Sequence, residues 1–400
     1  MRWAGFASLA GSLLLAGVLA LTPLGARLVS AAGRPLGGGR LARVAAGTIV
    51  LTLVSRLVLL PLDARAEAVR RAYGLSTRSW FGWLADLARG YLLATALLVL
   101  ALIVLVAMAR RWPRRWWAPA AAAAAGLVLA VSFTYPLVVE PVFNRFTSLP
   151  VGALRADVLA LAERLGTPVD DVLVADASRR TSTLNAYVSG FGATRRVVLY
   201  DTLLEQGSNR EIRLIVAHEL GHAGRGDVLH GTATGALGAA AGACVLYLAM
   251  TSARVQERAG LAAGEDAAGD PRLIAVPLLV MLVLTQLGGP VQMLVSRRVE
   301  ARADIASLDS TRDPAGFVAM QRRLSVTNLS DLDPPAVVFA LFSSHPTGPQ
   351  RIALARTWAR VAGMPEPPDQ VVRVGNSARA EASGEELLDH RGARGSDHGG

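Results

Sequence analysis

Six stretches of this chain, at about residues 4–22, 44–61, 90–108, 118–139, 228–250 and 273–295, are apolar and long enough to cross a bilayer. No other feature restricts the fold as much. Backbone inside hydrocarbon must satisfy its own hydrogen bonds, so each of these long apolar runs is expected as a spanning helix. The expected fold class is therefore mainly α, a multi-spanning helical membrane protein of about six spans. Composition agrees, with 52% hydrophobic and 18% charged residues and a mean hydropathy of +0.38. The first run follows Arg2 like a signal peptide, but a second apolar run follows it instead of a soluble domain, so it is expected to stay as a span. Arg56 inside the second run is costly in lipid unless it snorkels or faces a polar cavity. Gly288, Gly289 and Pro290 are expected to kink or interrupt the sixth span.

The net charge of +10 is carried by arginine, since the chain has no lysine. No basic stripe with interleaved aromatics occurs, which argues against a nucleic-acid partner. The short loop Arg110 to Trp117 instead suits lipid headgroups. A single cysteine, Cys244, excludes an intrachain disulfide and a cysteine-rich metal cluster.

Between the fourth and fifth spans the pattern becomes soluble-like. Leu154, Val158, Leu161 and Leu165 are spaced as on a helix. Val172–Val174 reads as a strand, and Asn185–Val188 with Arg196–Tyr200 as a hairpin. Ser208 and Glu211 fit a capping box, so a helix is expected to start there. That helix carries His218-Glu219-Leu220-Gly221-His222. Histidines four apart share a helix face and can bind one Zn²⁺, while a glutamate between them can accept a proton from water. With only 6 histidines in 400 residues, this spacing is a strong signal for a metal site. His230 reads as an interface residue. The loop 251–271 is expected to be mobile.

A peptidase zinc needs three protein ligands and an open position. Glu300 is the best third candidate, because spans five and six leave and return to the same membrane face. On the residues alone it could equally pair with Arg297 or Arg298. Asp304 lies one turn further on, where it could orient a metal-bound histidine or pair with Arg298 or Arg302. His345 sits in a proline-containing turn, followed by Arg351, and each could be an ordinary surface residue.

In order along the chain, Tyr135-Pro136 to Thr147, Asn185-Ala186-Tyr187 with Arg196 to Leu203, His218 to His222, Ser296 to Asp304 and Ser344-His345-Pro346 together resemble the CAAX prenyl protease type 1 family of integral-membrane zinc peptidases, with HtpX-type proteases as relatives. The resemblance runs from about 60 to 360. It implies a zincin-like α+β catalytic domain carrying a small β-hairpin or sheet. It implies one Zn²⁺ per chain on His218, His222 and Glu300, Glu219 as general base and His345 as a catalytic donor to the oxyanion. Asp304 would support a ligand, and Asn185, Ala186, Tyr187 and Arg351 would contact a peptide or protein substrate. The chain then divides into two leading spans (1–61), a loop with spans three and four (62–139), the zinc metallopeptidase domain including spans five and six (140–365), and a tail (366–400) expected to be disordered. It departs from the family in having six expected spans where the eukaryotic members have seven, and the two leading spans look least alike.

The expected activity is that of a membrane-embedded endopeptidase acting on membrane-associated or C-terminal-tail substrates. A site-2-protease-like enzyme would carry an Asp ligand within a later span, and a scaffold or transporter would carry a closed structural zinc. The family places the active site on the cytoplasmic side, here of a bacterial plasma membrane, although the arginines at 110–115 favour the opposite orientation.

Overall fold

A computed structural model describes residues 2–368. Five of its helices are long and apolar enough to cross a membrane, and a bent helix pair at the start makes a sixth if counted as one span. In that pair α1 (Arg2–Ala20) stops short of the expected span end, and α2 (Pro23–Gly33) departs at 73°. The break has a local cause. Thr22 caps α2 by accepting from the Leu24 amide at 3.3 Å, and Pro23 occupies the first turn, where its missing N–H costs nothing.

The second span is longer than its apolar run. α3 (Arg40–Ala72) continues through residues expected as a polar loop, because Ala64 to Ala72 are nearly all strong helix formers. It ends at Gly74, whose φ of 71° suits glycine. α4 (Trp80–Arg111) then returns, and α5 (Trp117–Val138) crosses again. The turn between α3 and α4 is held by Glu67, which is fully buried and accepts from Ser76 Oγ at 2.5 Å and Arg78 at 2.9 Å.

After the short α6 (Glu140–Phe143) the soluble part begins. Its elements are β1 (Phe146–Ser148), α7 (Ala153–Arg164), β2 (Asp171–Ala175), β3 (Ala186–Ser189), β4 (Arg196–Tyr200) and α8 (Asp201–Gln206). The sheet order is β1-β2-β4-β3, with β2 parallel to β4 and the other two pairs antiparallel. The expected hairpin is β3–β4, with Ala186 opposite Leu199, and β3 forms one sheet edge.

α9 (Asn209–Gly224) leads to α10 (Asp227–Thr251), which packs on α5. The two do not merge, because Gly226 between them takes a φ of 66°. The loop expected to be mobile is packed instead. It contains α11 (Ala253–Arg258), and the buried Gln256 amide donates to the Met250 carbonyl at 2.8 Å while its oxygen accepts from Gly264 at 2.9 Å. Ala259, Leu261 and Ala268 are buried in the membrane core as a result.

α12 (Ala275–Thr311) is one unbroken helix of 37 residues, running through Gly288, Gly289 and Pro290, where a kink or an interruption was expected. It joins two cores. Ala275 and Val276 belong to the membrane core, and Leu308 belongs to the core formed by α7, α8, α9 and the sheet. α13 (Pro314–Thr327), α14 (Ala336–Phe342) and α15 (Gly348–Val361) complete the soluble part. The expected tail lies, from residue 369 on, outside the described residues.

Candidate metal centre

The capping box that starts α9 is present. Ser208 Oγ accepts from the Glu211 amide at 3.3 Å, and the Ser208 amide donates to Glu211 Oε2 at 2.8 Å. Two and a half turns later, His218 and His222 leave the same face. α12 reaches that face because Gly221 has no side chain. A methyl there would lie 2.8 Å from Ala306 Cβ. Ser307 Oγ, fully buried, donates to the Leu214 carbonyl at 2.8 Å and fixes the register of the two helices. Arg210 pairs with Asp313 at the far end.

That register brings Glu300 to the histidines. Its Oε2 lies 3.2 Å from His218 Nε2, its Oε1 lies 3.6 Å from His222 Nε2, and the two Nε2 atoms are 3.2 Å apart. One ligand atom from each residue falls within a common 4.8 Å. Each histidine is held from behind. His218 Nδ1 is 2.9 Å from Asp304, and His222 Nδ1 is 2.9 Å from Asp227. Carboxylates accept, so the ring protons sit on Nδ1 and both Nε2 lone pairs converge with Glu300. Glu300 Oε2 is buried, with no hydrogen-bond partner among the described residues. Three electron-pair donors aimed at one point, two nitrogens and a carboxylate, fit a Zn²⁺ ion. Burial opposes charge on His218, but Asp304 and Glu300 outweigh it and lift its pKa to about 9. A proton on its Nε2 therefore competes with a metal for this site.

Glu219, next to His218, is partly buried, and burial raises its carboxyl above the ordinary range, which makes it a stronger base. His345 Nε2 stands 3.4 Å from Glu300 Oε1, while Nδ1 faces Ser344 Oγ at 2.8 Å. Its side chain is 58% exposed, so it borders the open side of the cluster. Burial lowers its pKa, favouring the neutral ring.

Several partners escaped the sequence reading. Asp227 lies just past the helix break, and its other oxygen takes Arg302 at 3.5 Å. Arg297 does not pair with Glu300. It donates to the Phe339 and Ser343 carbonyls at 3.0 and 2.7 Å and so holds the turn that presents His345. Arg351, a candidate for substrate or carboxylate contact, meets the Asp304 carboxylate through two N–H groups, one of them at 2.8 Å from Oδ2. The i, i+5 spacing of His222 and Asp227 was the one available signal, and the glycine between them hid it.

On β3, Ala186 is buried toward α9, whereas Tyr187 turns to the other face and meets Tyr200 edge-on at 6.4 Å. The Asn185 carbonyl accepts from Tyr200, so by alternation the peptide groups of Ala186 and Val188 face the outer edge. One residue earlier, the Asn328 side chain already occupies both the N–H and the carbonyl of Leu184.

A bundle of membrane helices joined to a sheet-bearing unit, with two helical histidines meeting a glutamate from a spanning helix, defines an integral-membrane metallopeptidase. Residues 148–359 match the model for Peptidase family M48, and residues 3–145 match that for the CAAX prenyl protease N-terminal region, described as five membrane helices. The chain belongs to peptidase family M48 and is a zinc metalloprotease. The two leading spans, which looked least family-like, fall within the second match. The chain is 32% identical over 307 residues to an uncharacterized metalloprotease, YhfN, of Bacillus subtilis, covering 76% of this chain and 71% of that one. It is 33% identical over 176 residues to CAAX prenyl protease 1 of Saccharomyces cerevisiae, covering 43% and 39%. Among solved structures, Ste24p of S. mikatae shares the fold, with a TM-score of 0.71 and 24% identity over 79% of this chain and 76% of that one.

Proposed function

We propose that the chain is an endopeptidase that cuts membrane-associated or C-terminal-tail peptides at the bilayer surface, with His218, His222 and Glu300 holding one Zn²⁺. The observation that carries this is the convergence of both Nε2 atoms with Glu300 while Asp304 and Asp227 hold the opposite ring nitrogens. When bound, the ion supplies Lewis acidity and lowers the pKa of water. Glu219 takes the proton of the attacking water and delivers it to the leaving amine. With its Nδ1 accepting from the Ser344 hydroxyl, His345 would carry its proton on Nε2, on the side of the cluster where a developing oxyanion needs a donor. Arg351 balances Asp304, so that the carboxylate stays ionised and keeps His218 in the metal-binding tautomer. The substrate lies extended along the β3 edge, using the outward peptide groups of Ala186 and Val188, with Asn328 closing that edge at Leu184.

The third ligand is a glutamate beyond the apolar part of α12, which speaks against a site-2-protease-like arrangement. The exposed flank at His345 speaks against a closed structural zinc. Purified protein cutting a tail peptide should lose activity on treatment with a zinc chelator and regain it when zinc is restored. Cleavage that continues after the metal is gone would sink the reading. We place the catalytic face in the cytoplasm of a bacterial plasma membrane, as the family resemblance suggests. A reporter fused after residue 366 should then be active only as a cytoplasmic fusion, and a periplasmic signal would reverse the orientation.

A further inference from the structure

Away from the metal centre, α3, α4 and the segment before β3 line an open cavity of about 560 Å³. Its polar wall carries Arg56, Arg78 and Arg180 against a single carboxylate, Asp86. That aspartate is already shared, lying 3.0 Å from Arg180, 3.0 Å from Arg89 and 3.6 Å from Arg78. Arg56 has Asp63 at 3.1 Å, and Glu67 serves Arg70, Arg71 and Arg78. Six arginines thus meet three carboxylates. Arg56 Nε, Arg78 Nε and Arg180 Nη2 are buried with no hydrogen-bond partner among the described residues, although their neighbouring nitrogens are paired. Leaving such donors unmet is expensive, and more so for charged groups.

The surroundings say which anion fits. Both walls are membrane-spanning helices, and the cavity begins at the aromatic end of α4, where Trp80 and Trp83 stack edge-on at 5.6 Å. Arg56 and Tyr91 both line it, and the Tyr91 hydroxyl is committed to the Ile49 carbonyl at 3.0 Å and Thr52 at 3.2 Å. Leu53, Leu57 and Leu84 on the same helices are exposed apolar side chains, available to acyl chains. Headgroup-level arginines over apolar helix flanks suit a lipid phosphate better than a soluble anion.

We propose that this cavity binds the phosphate of an anionic phospholipid, with Arg56, Arg78 and Arg180 as its donors. Arg180 ties the site to the soluble unit. Its carbonyl accepts from Thr77 in the α3–α4 turn at 3.2 Å, and neighbouring Thr181 and Ser182 donate to the Leu75 and Gly74 carbonyls at 3.0 and 2.8 Å. The lipid therefore sits at the foot of the segment that leads into β3.

The full chain in detergent, given phosphatidylglycerol or phosphatidylcholine and observed by native mass spectrometry, should retain one phosphatidylglycerol where phosphatidylcholine is not retained. Arg56→Gln should weaken retention about tenfold, Arg56→Lys should weaken it less, and Glu219→Gln should leave it unchanged, which separates this site from the peptidase reading. A photoreactive phosphatidylglycerol on the unaltered protein should crosslink to α3 or α4 beside the cavity, a result that needs no variant to fold. Equal retention of both lipids, indifference to Arg56→Gln, crosslinks confined to other helices, or full displacement by millimolar inorganic phosphate would each overturn the proposal.

Discussion

Replacing Glu219 by glutamine should lower kcat by about 100- to 10,000-fold while zinc content stays near one ion per chain. The two halves of this expectation come from different atoms. Glu219 is not among the three donors that converge, so its loss leaves His218, His222 and Glu300 in place. Glutamine keeps the size of the side chain but cannot take a proton from water. Peptide cleavage followed by mass spectrometry, with metal measured on the same sample, gives both readings. A glutamine variant that binds zinc and cuts as fast as the unaltered enzyme would remove Glu219 from the mechanism.

Glu300→Gln should do the reverse, with zinc lost first and activity lost as a consequence. Glu300 is 9% exposed and supplies the only anionic donor of the three, so an amide in its place leaves two neutral nitrogens to hold a divalent ion. Asp227→Asn provides a graded comparison. At the metal centre it touches only the outer nitrogen of His222, so its loss should weaken zinc binding about 10- to 100-fold rather than abolish it. Competition with a chromophoric chelator ranks the three proteins. If the Glu300→Gln chain keeps its ion as tightly as the Asp227→Asn chain, Glu300 is not a ligand.

The contrast between what could and could not be read from the residues follows from range. Ser208 with Glu211, the four-residue spacing of His218 and His222, and the β3–β4 hairpin are local signals, and all three features are present. The six apolar runs also located their helices, because hydrophobicity acts residue by residue. Ends were harder. The Thr22-Pro23 start signal stood at the end of an apolar run and was masked by it, and the helix-forming composition of Ala64 to Ala72 was outweighed by its charge. The loop 251–271 was misjudged for a tertiary reason, since one buried amide, Gln256, satisfies backbone that composition alone marks as loose. Pairings across the fold, Arg351 with Asp304 and Arg297 with the His345 turn, are separated by 47 residues or by 42 to 46 and leave no local trace.

The unbroken length of α12 has a consequence for anyone hoping to make this enzyme smaller. Two of the converging side chains belong to the water-facing body, but the third arrives on a rod anchored across the lipid. A metal seated there acts as a rivet between the two bodies. A water-facing fragment would keep all three donors only by keeping the end of the rod that carries Glu300, which contacts such as Ser307 with Leu214 would then have to hold without the bilayer.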